Sequence, residues 1–194
     1  NTNGDHGDLK VIGNSTPRYE YSFRLGADYK GFDFSIYCQG IGKRKIWGAG
    51  QLAIPGWNAK EGAMPETFCK DYWTEDNTDA YYPRAWDLGG SNTGFTMQRQ
   101  SKYLLNMAYL RVKNINFGYT FPQKWMNKAY INNLRVYMSL ENFFTFDHLR
   151  GLPIDPEAIS GYSMFTDKNN YNLGRTGTGT PVFKSLSFGL QLSF

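Results

Sequence analysis

Aromatic and charged side chains crowd one stretch of this sequence: Trp57, Tyr72, Trp73, Tyr81, Tyr82 and Trp86, with Asp71, Asn77 and Arg84 among them. Flat rings stack on apolar C–H faces, those of sugars included, while carboxylates, amides and guanidinium groups bind hydroxyls. These residue types suit a polar ligand with apolar faces, and Trp57, Trp73, Tyr81, Tyr82 and Trp86 are the candidate contacts. The same rings can instead fold the segment onto itself or pack on a partner. Both readings stand at this point.

Other chemistry is thinner. Asp71, Glu75, Asp76 and Asp79 lack the sixth-position glycine and closing glutamate of a calcium loop, so they read as a solvated loop. Gly174, Gly177 and Gly179 are followed by no Lys-Ser/Thr and lead into a strand pattern, which argues against a phosphate cradle. His6 and His148 stand without a second ligand nearby in sequence. Cys38 and Cys69 read as two unpaired small hydrophobes. Lys43-Arg44-Lys45 can face lipopolysaccharide phosphates, the lumen of a barrel or bulk water, the last being the default. No triad, carboxylate pair or redox motif emerges, so no catalytic residue, metal or cofactor is expected.

The elements that must position these residues are strands. From Leu186 to the end, apolar Leu186, Phe188, Leu190, Leu192 and Phe194 alternate with Ser187, Gly189, Gln191 and Ser193. A period of two means one greasy face and one polar face. Similar alternation predicts strands over about 17–28, 32–47, 102–121 and 133–146, with the fifth over 181–194. In the third, the apolar phase passes from Leu104, Ala108, Leu110 and Val112 to Ile115, Phe117, Tyr119 and Phe121. That slip near Lys113 calls for a β-bulge or for different surroundings of the two halves. A tight turn is expected at 29–31 and a helical turn within 123–130. By contrast, 48–101 and 147–180 are long loops of the kind that carries function.

Short turns on one side and long loops on the other is the pattern of an outer-membrane β-barrel. Aromatics gather near the strand ends: Tyr29, Phe32, Tyr119, Phe121 and Phe194 on one side, Trp47, Tyr103 and Phe146 on the other. Interfacial girdles look like this, though soluble sandwiches also use such residues. Composition agrees. The 194 residues are 17% aromatic and 20% charged, with a mean hydropathy of −0.54, which a barrel tolerates because half of each strand is polar. No run of about 18 apolar residues exists for a transmembrane helix. A net charge of +4, with no long basic block, gives no reason to expect nucleic acid.

Single-chain barrels begin at about eight strands, so five do not close one. An open edge strand leaves about ten backbone polar groups unpaired. In hydrocarbon each costs several kcal/mol, against a native stability of about 5–15 kcal/mol. The edges therefore need partner strands. With Asn1 in place of an initiator Met and no leader motif, the chain reads as a piece of a longer protein.

One further pattern is more specific. Gly13-Asn14-Ser15-Thr16-Pro17-Arg18-Tyr19 opens the first strand, Tyr29-Lys30-Gly31-Phe32-Asp33 makes the first turn, and Gln39-Gly40-Ile41-Gly42-Lys43-Arg44 ends the second strand. Tyr72-Trp73-Thr74, Asn77 and Tyr82-Pro83-Arg84 lie in the long loop. Tyr109-Leu110-Arg111-Val112-Lys113-Asn114, Gly118-Tyr119-Thr120-Phe121-Pro122, Leu134-Arg135-Val136-Tyr137 and Glu141-Asn142-Phe143-Phe144-Thr145 follow. This series, over nearly the whole chain, resembles the C-terminal end of the SusC/RagA-like TonB-dependent outer-membrane transporters of Bacteroidetes.

The resemblance implies an all-β fold: the last five antiparallel strands of a transmembrane barrel of about 22 strands, with two long extracellular loops. It implies a multi-pass protein of the Gram-negative outer membrane that imports oligosaccharides, or in some members peptides, with a SusD-like surface lipoprotein. The TonB–ExbB–ExbD complex would act through an upstream plug, and Phe194 would match the signal read by the barrel assembly machinery. Because Trp73, Tyr82, Pro83 and Arg84 match the general family pattern, the structural role is favoured for the loop aromatics. Two alternatives are a soluble β-sandwich that binds glycans and a small barrel subunit that closes by oligomerising.

Overall fold

The computed structural model describes residues 10–48, 65–84, 100–127, 130–157 and 182–194. In chain order the strands are β1 (Tyr19–Tyr29), β2 (Phe32–Gly42), β3 (Lys45–Ile46), β4 (Leu105–Asn106), β5 (Tyr109–Thr120), β6 (Asn133–Asp147) and β7 (Ser185–Ser193). Among the described residues two short helices occur, α1 (Glu66–Lys70) and α2 (Gln123–Met126). The chain divides into two units, one of residues 19–42, 108–147 and 182–194 and one of residues 1–18, 43–107 and 148–181.

The first unit is an antiparallel sheet of five strands in the order β1-β2-β5-β6-β7, so the all-β antiparallel expectation holds. Lys30 and Gly31 both take positive φ, 47° and 89°. That is what a two-residue hairpin with the right-handed twist of its strands demands. At the same end of the sheet, residues 121–132 join β5 to β6 through α2, and the backbone N–H of Asn132 donates to Ser193 O at 2.8 Å. The stretches 43–108 and 148–184 depart from the opposite strand ends.

Register explains the two faces. Phe23, Leu25 and Ala27 oppose Cys38, Ile36 and Phe34, and these oppose Val112, Ile115 and Phe117. The row continues through Phe144, Leu140 and Met138 to Leu186 and Phe188. Directly opposed residues share a face, so the sheet carries one apolar side from edge to edge. Leu25, Phe188 and Leu190 are 62%, 76% and 60% exposed. The other side presents Ser22, Arg24, Gln39, Ser35, Asn114, Asn116, Ser139, Glu141 and Ser187.

The apolar row survives a change of parity because the ladder is irregular where the sequence slips. Lys113 has no opposite number on β2, and on β6 the pairing passes from Glu141 to Phe144. Asn142 takes φ 56° there, and its side-chain amide donates to Phe183 O at 3.1 Å.

Two strands of the sheet are shorter than alternation suggests. The ladder of β2 stops at Gly42, because Lys43 turns to φ 52°, whereas the pattern runs on to 47. The third expected strand starts in the sheet at Tyr109 and not near 102. Lys45–Ile46 and Leu105–Asn106 instead pair with each other as a separate two-stranded sheet. Both cysteines are free thiols, Cys38 buried and Cys69 exposed.

The second unit has its own core. Phe68 of α1 and Met107 are fully buried, joined by Ile46, Tyr82, Leu149, Leu152 and Ile154. The Thr67 hydroxyl donates to Gly151 O at 2.9 Å, Met107 N–H to Arg44 O at 2.9 Å, and Lys45 N–H to Asn14 O at 2.9 Å. Segments distant in sequence thus build one packed loop cluster.

Candidate functional site

The loop cluster is ordered from Asp71 outward. Asp71 O accepts from Tyr82 N–H and Tyr82 O from Trp73 N–H, each at 3.1 Å, and the Asp71 carboxylate accepts from Tyr81 N–H at 3.2 Å. This short pairing of 71–74 with 81–82 turns Tyr81 and Tyr82 in different directions. Tyr82 is 5% exposed, and its ring meets Phe68 edge-on, 4.6 Å between centroids. Tyr81 is half-buried, perpendicular to Tyr82 at 4.9 Å and to Tyr103 at 5.6 Å. Its hydroxyl donates to Lys102 O.

Two cations and a histidine stand near these rings. The Arg150 guanidinium lies 3.9 Å from the Tyr81 ring centroid and holds Asp71 at 3.5 Å. Lys102 Nζ lies 5.6 Å from the Tyr81 centroid and 5.3 Å from that of Tyr103. His148 shares a cavity of about 230 Å³ with Tyr81, Tyr82, Tyr103 and Arg150. Burial pushes the Tyr82 phenol above the ordinary tyrosine value, and the positive Arg150 opposes that. Burial also pushes the Tyr103 phenol up. Both phenols are neutral at physiological pH, able to donate and to accept.

The expected contacts therefore separate. Tyr81 and Tyr82 border this cavity, while Trp73 lines a different, more open hollow with Tyr72, Thr74, Glu75 and Arg84. Trp57 and Trp86 lie outside the described residues, as do His6, Gly174, Gly177 and Gly179. Of the acidic residues, Asp71 is committed to Arg150 and to Tyr81. Phe194 is 83% exposed and follows directly on β7. Sequence reasoning missed Arg150 and Lys102. No motif marks them, and only the folded loops bring them to Tyr81.

A second polar constellation lies on the sheet. Arg135 of β6 reaches across β5 to Asp33 of β2, donating from Nε at 2.9 Å and from Nη2 at 2.6 Å. Its guanidinium also lies 4.9 Å from the Tyr137 centroid. Higher on the same face, the Arg111 Nε–H donates to the Thr145 hydroxyl at 2.9 Å. At the short-turn end an aromatic run joins Phe32 to Tyr119 (4.5 Å), Tyr119 to Phe121 (5.0 Å) and Phe121 to Trp125 (6.4 Å).

A comparison with models of known protein families gives no match. Among curated proteins, the chain is 27% identical over 187 residues to TonB-dependent receptor P3 of Formosa agariphila, covering 96% of this chain and 17% of that protein. It is 26% identical over 146 residues to TonB-dependent receptor P39 of the same organism, 74% of this chain and 14% of that one. Among solved structures, it matches a chain of the RagAB peptide transporter with a TM-score of 0.67 at 26% identity, over 96% of this chain and 18% of that one. The RagAB peptide importer in its closed-closed state gives a TM-score of 0.66 at 25% identity, over 95% and 18%. The chain thus spans less than a fifth of the length of these relatives, which are receptors and transporters, not enzymes. Sequence and fold agree on a RagA-like, TonB-dependent-receptor-like portion of an outer-membrane β-barrel.

Proposed function

We propose that this chain supplies wall strands and outer loops of a TonB-dependent importer, one that carries an oligomeric nutrient across the outer membrane. The observation that carries this reading is the apolar face running unbroken over five antiparallel strands opposite a polar one. Lipid on one side and an aqueous lumen on the other is the setting in which both faces are stable. A sandwich domain would bury the apolar side, and here Phe23, Leu25, Phe34, Phe117, Phe144 and Phe188 of that side are exposed.

The nutrient is an oligosaccharide or a peptide. RagAB, a peptide importer, supports the peptide arm, and the loop aromatics support either. Tyr81 is the aromatic best placed to touch it, Tyr82 holds the loop core beneath, and Trp73, Trp57 and Trp86 complete the proposed contacts. A SusD-like lipoprotein captures the nutrient at the surface, TonB–ExbB–ExbD supplies energy through a plug, and Phe194 serves assembly.

Uptake of labelled oligosaccharides and peptides by cells carrying the full-length protein tests this. Uptake of one class should disappear when either the transporter or TonB is deleted. Uptake of both classes that persists without TonB, or a full-length protein that purifies as a monomer without detergent, would sink the reading.

A further inference from the structure

The cavity of about 230 Å³ in the loop cluster has a lining with a definite charge. Its ionisable groups include the Arg150 guanidinium and the His148 imidazole, and among the described residues no Asp or Glu lines it. Lys102 stands beside it, its Nζ over the rings of Tyr81 and Tyr103. Among the described residues, no carboxylate lies within ion-pair distance of Lys102. Arg150 does have an acid partner, but the Asp71 contact is 3.5 Å, longer than the roughly 2.7–2.9 Å of a full charge-assisted hydrogen bond. Arg150 remains half exposed, with a side-chain exposure of 53%. A guanidinium carries five N–H donors, so the long Asp71 contact and the hydrogen bond to the Tyr82 side chain leave capacity for an incoming acceptor.

A recess with cations of one sign and an aromatic floor concentrates anions and repels cations. Its size narrows the guest further. Sites for whole drug-sized ligands run from about 300 Å³ upward, so this recess suits one anionic unit of a longer chain. We propose that the cavity binds a carboxylate group of an acidic nutrient oligomer, with Arg150 and Lys102 as charge partners and Tyr81 and Tyr103 as the rings that flank it. The inference rests on the importer reading above and names its substrate class. A uronic acid in an oligosaccharide and an acidic side chain in a peptide present the same chemistry.

The experiment uses the full-length transporter in detergent, titrated by calorimetry with trigalacturonate against galactotriose. A second pair is C-terminally amidated triglutamate against amidated triglutamine. At least one acid should bind about tenfold more tightly than its neutral twin, a typical worth for charge-assisted contacts, and the acid that does so identifies the source. Lys102→Gln and Arg150→Gln should each remove most of that advantage. Arg150→Gln also releases Asp71, so Lys102→Gln, which breaks no ion pair within the described loop, carries the test if the first variant misfolds. Neither acid outbinding its twin, or an advantage that survives Lys102→Gln, overturns the inference. TonB-dependent uptake that shows no preference for acids leaves the importer reading intact, whereas loss of all TonB-dependent uptake removes that reading.

Discussion

Gly118 shows how a missing side chain places charge. By register it lies between Asp33 of β2 and Tyr137 of β6. A Cβ at this position would come within 2.6 Å of the Arg135 guanidinium and collide with the Asp33 carboxylate. The glycine is thus the gap through which Arg135 ties β6 to β2 over the intervening strand. The bond is bidentate, which favours it, but both side chains keep about a quarter of their exposure, 26% and 27%, so solvent discounts it to about 1 kcal/mol. Gly118→Val in the full-length protein should cost about 1–2 kcal/mol, and much less once Asp33→Asn has already broken the pair. A double-mutant cycle by urea unfolding in lipid vesicles reads this coupling, and additive losses would show that the gap serves something else. None of this was legible in the sequence, since Asp33 and Arg135 lie 102 positions apart. The loop site was half legible for the same reason. Tyr81 and Tyr82 stand out in a dense aromatic stretch, whereas Arg150 and Lys102 reach them only through folding.

At the scale of elements, a period of two was enough to place every strand of the large sheet, because each carries one apolar and one polar row of side chains. The Lys113 irregularity was legible too, since apolar positions change there from even to odd numbers. Asn142 left no such mark, because Leu140 and Phe144 keep one parity on either side of it. The ends of β2 and β5 misled for a physical reason. Lysine carries no signal for the left-handed backbone that Lys43 adopts, and Leu104 shares the even apolar phase of β5 although its neighbours Leu105 and Met107 serve the loop core. The loops themselves have no periodic face, so their helix and core were invisible. Strand alternation makes a sharp demand on β7. Phe188 faces the apolar side and Ser187 the polar side, at neighbouring positions near the strand's middle. Arginine on a lipid face near the bilayer midplane costs about 2–4 kcal/mol, whereas a lumen position tolerates it. Phe188→Arg in the full-length protein should therefore lower unfolding stability in vesicles by that amount, with Ser187→Arg changing it by under about 0.5 kcal/mol. Equal costs at the two positions would mean that the apolar face does not meet lipid.

At the scale of the whole molecule, the decisive fact is that the sheet does not close. In the order β1-β2-β5-β6-β7 the outer strands are β1 and β7, and among the described residues each pairs along one side only. β1 has 11 residues and β7 has 9, so each edge leaves backbone groups unpaired along its whole length. Several kcal/mol per group in hydrocarbon puts each open edge at tens of kcal/mol, beyond the about 5–15 kcal/mol that holds a typical domain together. Water offers no refuge either, because it would meet the exposed apolar face, a surface that drives association. The 194 residues expressed alone are therefore expected to aggregate in buffer, and in vesicles to stay unfolded or to form oligomers that pair the two edges. The full-length polypeptide should instead insert as a monomer, with strands supplied on both sides. Intact mass and native electrophoresis of both products in detergent measure the difference. A soluble monomer of the 194 residues with a cooperative melt would mean that both edges and the apolar face are satisfied within this chain, and the membrane wall would have to be abandoned.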